Sequence, residues 1–477
     1  MPSSPSSSPP RPVAVLGAGI AGLAAAWTLA RAGVEVRVLE ASDRVGGVIR
    51  SELRDGFLAE EGPHSLARPS ARVRTLFRDA GLEEHIVTAD PERSARYIVR
   101  DGRPLPLPTS PAGLLLTPLL SVGGRLRIVA EPFRRRTAPP QGDESVADVL
   151  RRRGMGDEVV ERFLNPFVAG VYAGNPERLS APHAFPLLRE LELGHGSLVR
   201  GLLARLKAAR KKARTGARAG GPEPEAGGGH GAILSFRQGM EELPRRLADG
   251  LPEGSVRPDA EVRGLRQTDD GWMVGTDGGE AGPFGAVIAA IPAPALARLE
   301  GTGAGQAARG ALEGVRYPPI ALLTLGFRRE DVVHPLDGFG MLVPQVEERQ
   351  VLGALFPSTL FPGRAPEGHV TISSFVGGTR QPELALEAGP AMEARVLEEL
   401  GALLGVRGEP VFRHRRVWER SIPQIEVGYG AVREATREVE AALPGLVLAG
   451  NWVGGVSVGD ALASGLEAAD RVLAGMG

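Results

Sequence analysis

The chain of 477 residues has no cysteine and only three lysines, Lys207, Lys211 and Lys212. Without thiols it forms neither disulfides nor thiolate metal sites, and dithiol redox chemistry is excluded. Its eight histidines are scattered without HxH or HxxxH spacing, so no metal site is expected. A net charge of −1 supplies no basic field for nucleic acid. No apolar run reaches the ~20 residues of a spanning helix. The Ser/Pro-rich start has neither the basic nor the apolar segment of a secretory signal. Residues 1–12 are therefore read as a disordered tail and the chain as cytoplasmic. Its length exceeds what one core supports, so two or three domains are expected.

What is present begins at residue 13. The run Val13 to Leu16 enters Gly17-Ala18-Gly19-Ile20-Ala21-Gly22, followed by a helical pattern and a second strand, Glu35 to Leu39. Gly17 permits a tight turn, Gly19 lets backbone approach a pyrophosphate, and Gly22 allows helix and strand to touch. The phosphates then lie at the positive end of the helix. Glu40 is placed to accept ribose hydroxyls, and its charge disfavours an added phosphate there. Order and spacing together predict a dinucleotide site.

Glu40-Ala41, then Arg44, Gly46, Gly47 and Val48 continue the motif into a second glycine turn, with Arg44 set toward the pyrophosphate. This extension resembles the FAD proteins of the amine oxidase and porphyrinogen oxidase group. The resemblance implies one non-covalent FAD per chain. The absence of cysteine excludes flavin disulfide reductases and cysteinyl flavin attachment. Further cofactor contacts are expected from Gly62, Pro63, His64 and Ser65, from Val262 and Trp418, and from Gly450, Val456, Ser457 and Val458. Gly303-Ala-Gly305 follows a helical segment and fails the strand test. With no second dinucleotide fingerprint, an oxidase or quinone-linked enzyme is favoured over an NADPH reductase.

The expected fold is α/β. A Rossmann-like FAD-binding domain is assembled from 13–88, 231–300 and 411–477. A mixed-sheet substrate domain takes 89–100 and 301–410, and a helical subdomain takes 101–206. Residues 207–230, charged and then Gly/Pro-rich, are expected to be a mobile loop.

The middle of the chain carries a narrower resemblance. Asn165-Pro-Phe-Val-Ala-Gly170-Val-Tyr172-Ala-Gly174, Gly338-Phe-Gly340-Met-Leu342, Leu352-Gly-Ala-Leu355 and Ser374-Phe375-Val-Gly-Gly378 are similar to the signature of protoporphyrinogen oxidases. So is Arg96-Tyr-Ile-Val followed by Pro104-Leu-Pro-Leu-Pro108. The likeness runs from Val13 to about Val472. It implies that Arg96 holds a substrate propionate, that Leu342, Leu355 and Phe375 sandwich the macrocycle, and that the Gly170 carbonyl faces a pyrrole N–H. It also implies hydride transfer from a bridging carbon to the flavin, with six electrons leaving in three cycles and O2 reduced to H2O2.

His64 stands as a candidate proton acceptor, or simply as a turn-capping histidine. Protoporphyrinogen IX and coproporphyrinogen III both remain open as substrates. An amine oxidase is disfavoured because no lysine falls outside 207–212. A carotenoid desaturase lacks the middle motifs, and a cofactor-free carrier would have lost the glycines. Leu114 to Leu120, followed by Arg125, Arg127 and Arg134 to Arg136, suits a membrane surface, a channel mouth or internal packing. Related enzymes work at membranes and hand on a poorly soluble product, which adds the cytoplasmic membrane face and the next haem-pathway enzyme as expected neighbours.

Overall fold

The computed structural model describes residues 11–93, 95–108, 110–134, 142–215 and 233–476. The predicted tail, apart from residues 11 and 12, and residues 216–230 of the predicted loop lie outside these. At its centre is a five-stranded parallel sheet. Strand β1 (Val13–Leu16) lies between β2 (Val36–Leu39) and Ala286–Ala289, with Val256–Arg257 and Leu446–Leu448 at the edges. All four residues of β1 are fully buried. That is what a central parallel strand covered on both faces demands, and why it reads as a continuous apolar run.

Helix α1 (Ile20–Arg31) and the C-terminal helix Val458–Met476 cover one face through Leu23, Ala24, Leu462 and Leu466. The other face packs on a three-stranded antiparallel sheet centred on Trp272, and on the helix Gly430–Ala442.

A seven-stranded mixed sheet forms the second part. Its order is Phe412–Trp418, Ile320–Arg328, His369–Gly377, Gly353–Leu355, Gly338–Leu342, Ala95–Arg100 and Arg103–Pro106. Tyr97, Leu323, Met341 and Ala354 point to one face and bury Met392, Val396 and Leu400 of helix Gly389–Leu404. Alternation then sends Arg96, Leu322, Leu342, Leu355 and Phe375 to the opposite face.

Three expectations are corrected here. The boundary at 411 gives Phe412–Trp418 to the cofactor domain, yet this strand pairs with Ile320–Arg328. Likewise Arg103–Pro106, assigned to the helical part, pairs with Ala95–Arg100. The loop expected from Lys207 starts later, because the helix Leu198–Thr215 runs on through it. Its charged residues are good helix formers, and the glycines begin only at Gly216.

The helical part is built on a buried ion network. Glu131 is wholly buried and accepts from Arg153 Nε at 2.8 Å, from the Ser197 hydroxyl, and from the backbone N–H groups of Leu198 (3.1 Å) and Val199 (3.2 Å). Its carboxylate thus caps the helix Leu198–Thr215, where negative charge is favoured. Arg152 extends the network, bridging Glu144 (2.7 Å) and Glu192 (2.6 Å).

Candidate functional site

The glycine turn after β1 has the geometry its spacing implies. A Cβ on Gly22 would lie 2.0 Å from the Gly17 carbonyl oxygen, so only glycine lets α1 start there. A Cβ on Gly19 would meet nothing within 4 Å. Protein packing therefore does not require glycine at 19, and the open space at the N-terminus of α1 fits a phosphate group. The Ala18 N–H donates to Glu40 Oε2 at 2.6 Å, while the Ser42 N–H and hydroxyl donate to Oε1 at 2.9 and 2.7 Å. These bonds fix the carboxylate at the tip of β2 and leave lone pairs for further donors.

Arg44 is turned onto its own loop, donating to the Val45 (2.9 Å) and Gly47 (2.6 Å) carbonyls. It holds the second glycine turn, where Ala41, Gly47 and Val48 are exposed and Gly46 is buried. Ile20 and Ala21 are buried in α1. Gly450 has φ +123° and its N–H donates to Ser464 Oγ at 3.1 Å. Ser457 and Asp460 form a capping box at the start of the C-terminal helix. That side-chain cap takes up donors the sequence reading leaves to the ligand. Val456 is half-buried, Val458 packs against the cofactor-domain core, and Val262 opens a strand of the antiparallel sheet.

The segment after the strand Phe57–Glu60 joins the two sheets. Gly62, Pro63 and Ser65 are half-buried, and His64 is buried. His64 Nδ1 lies 3.1 Å from the Gly62 carbonyl, so this nitrogen carries the proton and Nε2 holds the lone pair. Nε2 is buried without a hydrogen-bond partner among the described residues. Burial pulls its pKa down to about 4, so the ring is neutral at pH 7. It sits 5.6 Å from the Phe375 ring.

Glu61 accepts from His414 Nε2 at 3.1 Å and lies 3.4 Å from Arg50 and 3.5 Å from Arg416. Trp418 Nε1 donates to the Glu61 carbonyl, and Arg416 stacks over Trp418 at 4.1 Å. Although burial acts to raise the Glu61 carboxyl, the hydrogen bond from His414 and the charges of Arg50 and Arg416 hold it below its ordinary value. This polar cluster of Arg50, Glu61, His414 and Arg416 was missed in the sequence.

The register of the mixed sheet assembles the remaining candidates. Leu342 pairs with Gly353, which pairs with Phe375. One row over, Arg96 pairs with Gly340, which pairs with Leu355. All four side chains therefore stand on one face, with side-chain-free positions alternating between them. The result is a shallow apolar trough with a guanidinium at one edge. Arg96 lies over the Phe339 ring at 5.5 Å, and no Asp or Glu among the described residues pairs with it. Desolvation, and then the charge of Arg68, lower its proton affinity. The helix Asn165–Tyr172 closes one side: Gly170 is exposed, and a Cβ there would fall 2.5 Å from Leu342 Cδ2.

Below the trough, Glu60 is buried against Arg364 at 3.7 Å and accepts from Ser51 Oγ and the Met240 N–H. Burial raises its pKa to about 7. A raised carboxyl favours the fold below its ordinary value near 4.5, and that contribution is lost as pH rises through about 7. Glu60→Gln should therefore gain thermal stability relative to wild type as pH rises across this window. Parallel melting curves across it would show that Glu60 does not titrate there.

Comparison with known proteins gives a consistent picture. Residues 20–473 match the family model described as flavin containing amine oxidoreductase. The chain is 35% identical to protoporphyrinogen oxidase 2 of Arabidopsis thaliana, over 97% of this chain and 93% of the relative. It is 27% identical to coproporphyrinogen III oxidase of Bacillus subtilis, over 97% of both. A crystal structure from Exiguobacterium sp. 255-15, provisionally named protoporphyrinogen oxidase, superposes with a TM-score of 0.79 at 25% identity, covering 97% of this chain and 98% of the other.

Proposed function

The chain belongs to the flavin containing amine oxidoreductase family, and from that premise we propose that it oxidises protoporphyrinogen IX to protoporphyrin IX with non-covalent FAD, dioxygen being the electron acceptor. The observation that carries the substrate is the trough, with Arg96, Leu342, Leu355 and Phe375 on one sheet face beside His64. A porphyrinogen is a broad apolar ring with carboxylates at one edge. Aliphatic and aromatic walls suit the ring, and the Arg96 fork suits a carboxylate.

FAD supplies the two-electron acceptor when bound, through the Gly17–Gly22 turn, Glu40 and the 62–65 segment. The chain's own residues orient the bridging carbon and exclude water. Gly170 is exposed beside Leu342, and in this reading its carbonyl accepts from a pyrrole N–H. His64, kept neutral, offers Nε2 as a second acceptor. For each two-electron step one hydride and one proton leave the macrocycle, so three steps consume three O2 and yield three H2O2.

Purified yellow protein incubated in air with protoporphyrinogen IX or coproporphyrinogen III tests this. Protoporphyrin fluorescence should rise well above the spontaneous rate. A clear preference for coproporphyrinogen III would move the enzyme to that substrate, and no acceleration of either would overturn the reading.

We also infer peripheral membrane attachment through the helical part. On the helix Val122–Ala130 the residues Val122, Leu126 and Val129 share one exposed face, and Leu116 and Phe133 beside them are 79% and 82% exposed. Arg125 donates to the Leu115 carbonyl at 2.8 Å, keeping a cation within this surface. By contrast Leu119 and Leu120 are buried. Among the described residues no helix is long and apolar enough to cross a membrane. Wild type should float with vesicles containing anionic phospholipid, and a Leu116→Ser/Phe133→Ser variant should not, while keeping its flavin. Equal flotation of the two would exclude this surface.

A further inference from the structure

We propose that Arg380 is a positioning residue for the trough. Its guanidinium fixes the helix Asn165–Tyr172 against the strands that carry Leu342 and Phe375, and so sets the slot in which the macrocycle meets Gly170. The inference rests on the porphyrinogen reading and adds to it the residue that holds the second wall of the site.

Arg380 lies in the turn that leaves the strand His369–Gly377. That turn holds the helix at both ends. At the C-terminal end the Thr379 N–H donates to the Ala173 carbonyl at 2.8 Å, and a Cβ on Gly378 would fall 2.7 Å from the same oxygen. At the N-terminal end Arg380 Nη2 donates to Asn165 Oδ1 at 3.1 Å. The same nitrogen donates at 3.0 Å to the carbonyl of Val343, the residue after Leu342. Asn165 Oδ1 also accepts from the Gln345 N–H at 2.9 Å. One guanidinium therefore joins the helix to the ends of two strands of the trough. Between these ties a Cβ on Gly170 would already collide with Leu342.

As a purely structural tie Arg380 is a poor choice. Among the described residues its hydrogen bonds go to neutral oxygens, and no carboxylate pairs with it. Nη1 is buried without a hydrogen-bond partner among them, and burial, with no opposing charge, pulls the pKa down to about 10. A cation held this way costs folding free energy. What it supplies is direction: a planar fork with charge-assisted bonds reaches acceptors on two separate elements in a fixed geometry. Hydride transfer depends on such placement, since a displacement of about 1 Å costs about a hundredfold in rate.

Wild type, Arg380→Met and Arg380→Lys are compared as holoproteins, by thermal melting and by turnover of protoporphyrinogen IX and coproporphyrinogen III. Methionine fills much of the volume and removes the charge together with its bonds. Arg380→Met should stay yellow and melt within a few degrees of wild type, because relief of the unpaired charge offsets the lost bonds. Its kcat should fall about ten- to a hundredfold while KM moves less than about threefold, Arg96 and the apolar walls still holding the substrate. Arg380→Lys should recover most of kcat, since an ammonium can donate to both oxygens. If Arg380→Met fails to fold, or its melting temperature falls in step with its activity, Arg380 has a structural role and the proposal is overturned. A folded Arg380→Met chain with wild-type kcat would overturn it too, as would Arg380→Lys turning over no faster than Arg380→Met. A wild type that oxidises neither porphyrinogen would overturn the substrate reading, and this inference with it.

Discussion

Gly19→Ala is expected to give a folded but colourless protein, whereas Gly22→Ala is expected to destabilise the fold itself. The two glycines stand three residues apart in one turn, yet different things require them. At Gly19 the backbone is extended, with φ −67° and ψ 173°, and a Cβ would project into open space. Alanine fits that conformation, and as an N-cap it costs about 1 kcal/mol. What it obstructs is the pyrophosphate. At Gly22 the Cβ would be driven to 2.0 Å from the Gly17 carbonyl, a backbone atom that cannot rotate away. Separating α1 from β1 opens the core formed by Val13, Leu23 and Ile288, at a cost of about 1–3 kcal/mol or more. Visible flavin absorbance per chain and the urea midpoint separate the two outcomes. A yellow Gly19→Ala protein at full stoichiometry would mean that the open space at α1 is not where the phosphates lie.

Arg153→Ala should be among the most damaging substitutions outside the cofactor site. Arg153 is 1% exposed and holds Glu131, itself fully buried, while also donating to the Gly196 carbonyl at 2.9 Å. Truncation leaves a buried carboxylate with only the Ser197 hydroxyl and two backbone N–H groups. Breaking such a pair by removing one partner costs roughly 3–5 kcal/mol. Arg151, one residue away, makes equally short bonds to Asp157 and Glu177 at the surface, and Arg151→Ala should cost no more than about 1 kcal/mol. Urea denaturation of the two variants is the comparison. Burial acts to raise Glu131, but Ser197 and Arg153 hold it below its ordinary value, so its stabilisation is lost as pH falls. The Arg153→Ala deficit should therefore shrink in acid. Equal deficits for the two variants would show that the network is not a buried one energetically.

The cofactor half was legible because its signal is local. Strand, glycines, helix, strand and acid lie within residues 13–40, and each type has a steric or electrostatic reason to be there. The trough was legible only in part. Arg96, Leu342, Leu355 and Phe375 came from a family likeness, and nothing in their spacing says that they share a face. That fact follows from register between strands up to 279 positions apart, from Arg96 to Phe375. The Glu61 cluster was beyond reach for the same reason: His414, Arg416 and Trp418 meet it across more than 350 residues. Phe412–Trp418 was misassigned because a strand's sheet is decided by its partner rather than by its own composition. The helix to Thr215 was missed because its basic run was read for charge instead of helix propensity.

The parallel sheet takes its edge strand Leu446–Leu448 from the last tenth of the chain, beside Ala286–Ala289. The helix that covers α1 is later still, ending at Met476. During synthesis the first strand and its glycine turn emerge hundreds of residues before the pieces that bury them. A nascent chain therefore holds an incomplete nucleotide cradle until Leu446–Leu448 and the helix after it have emerged. A chain stopped short of Leu446 should leave the ribosome without colour.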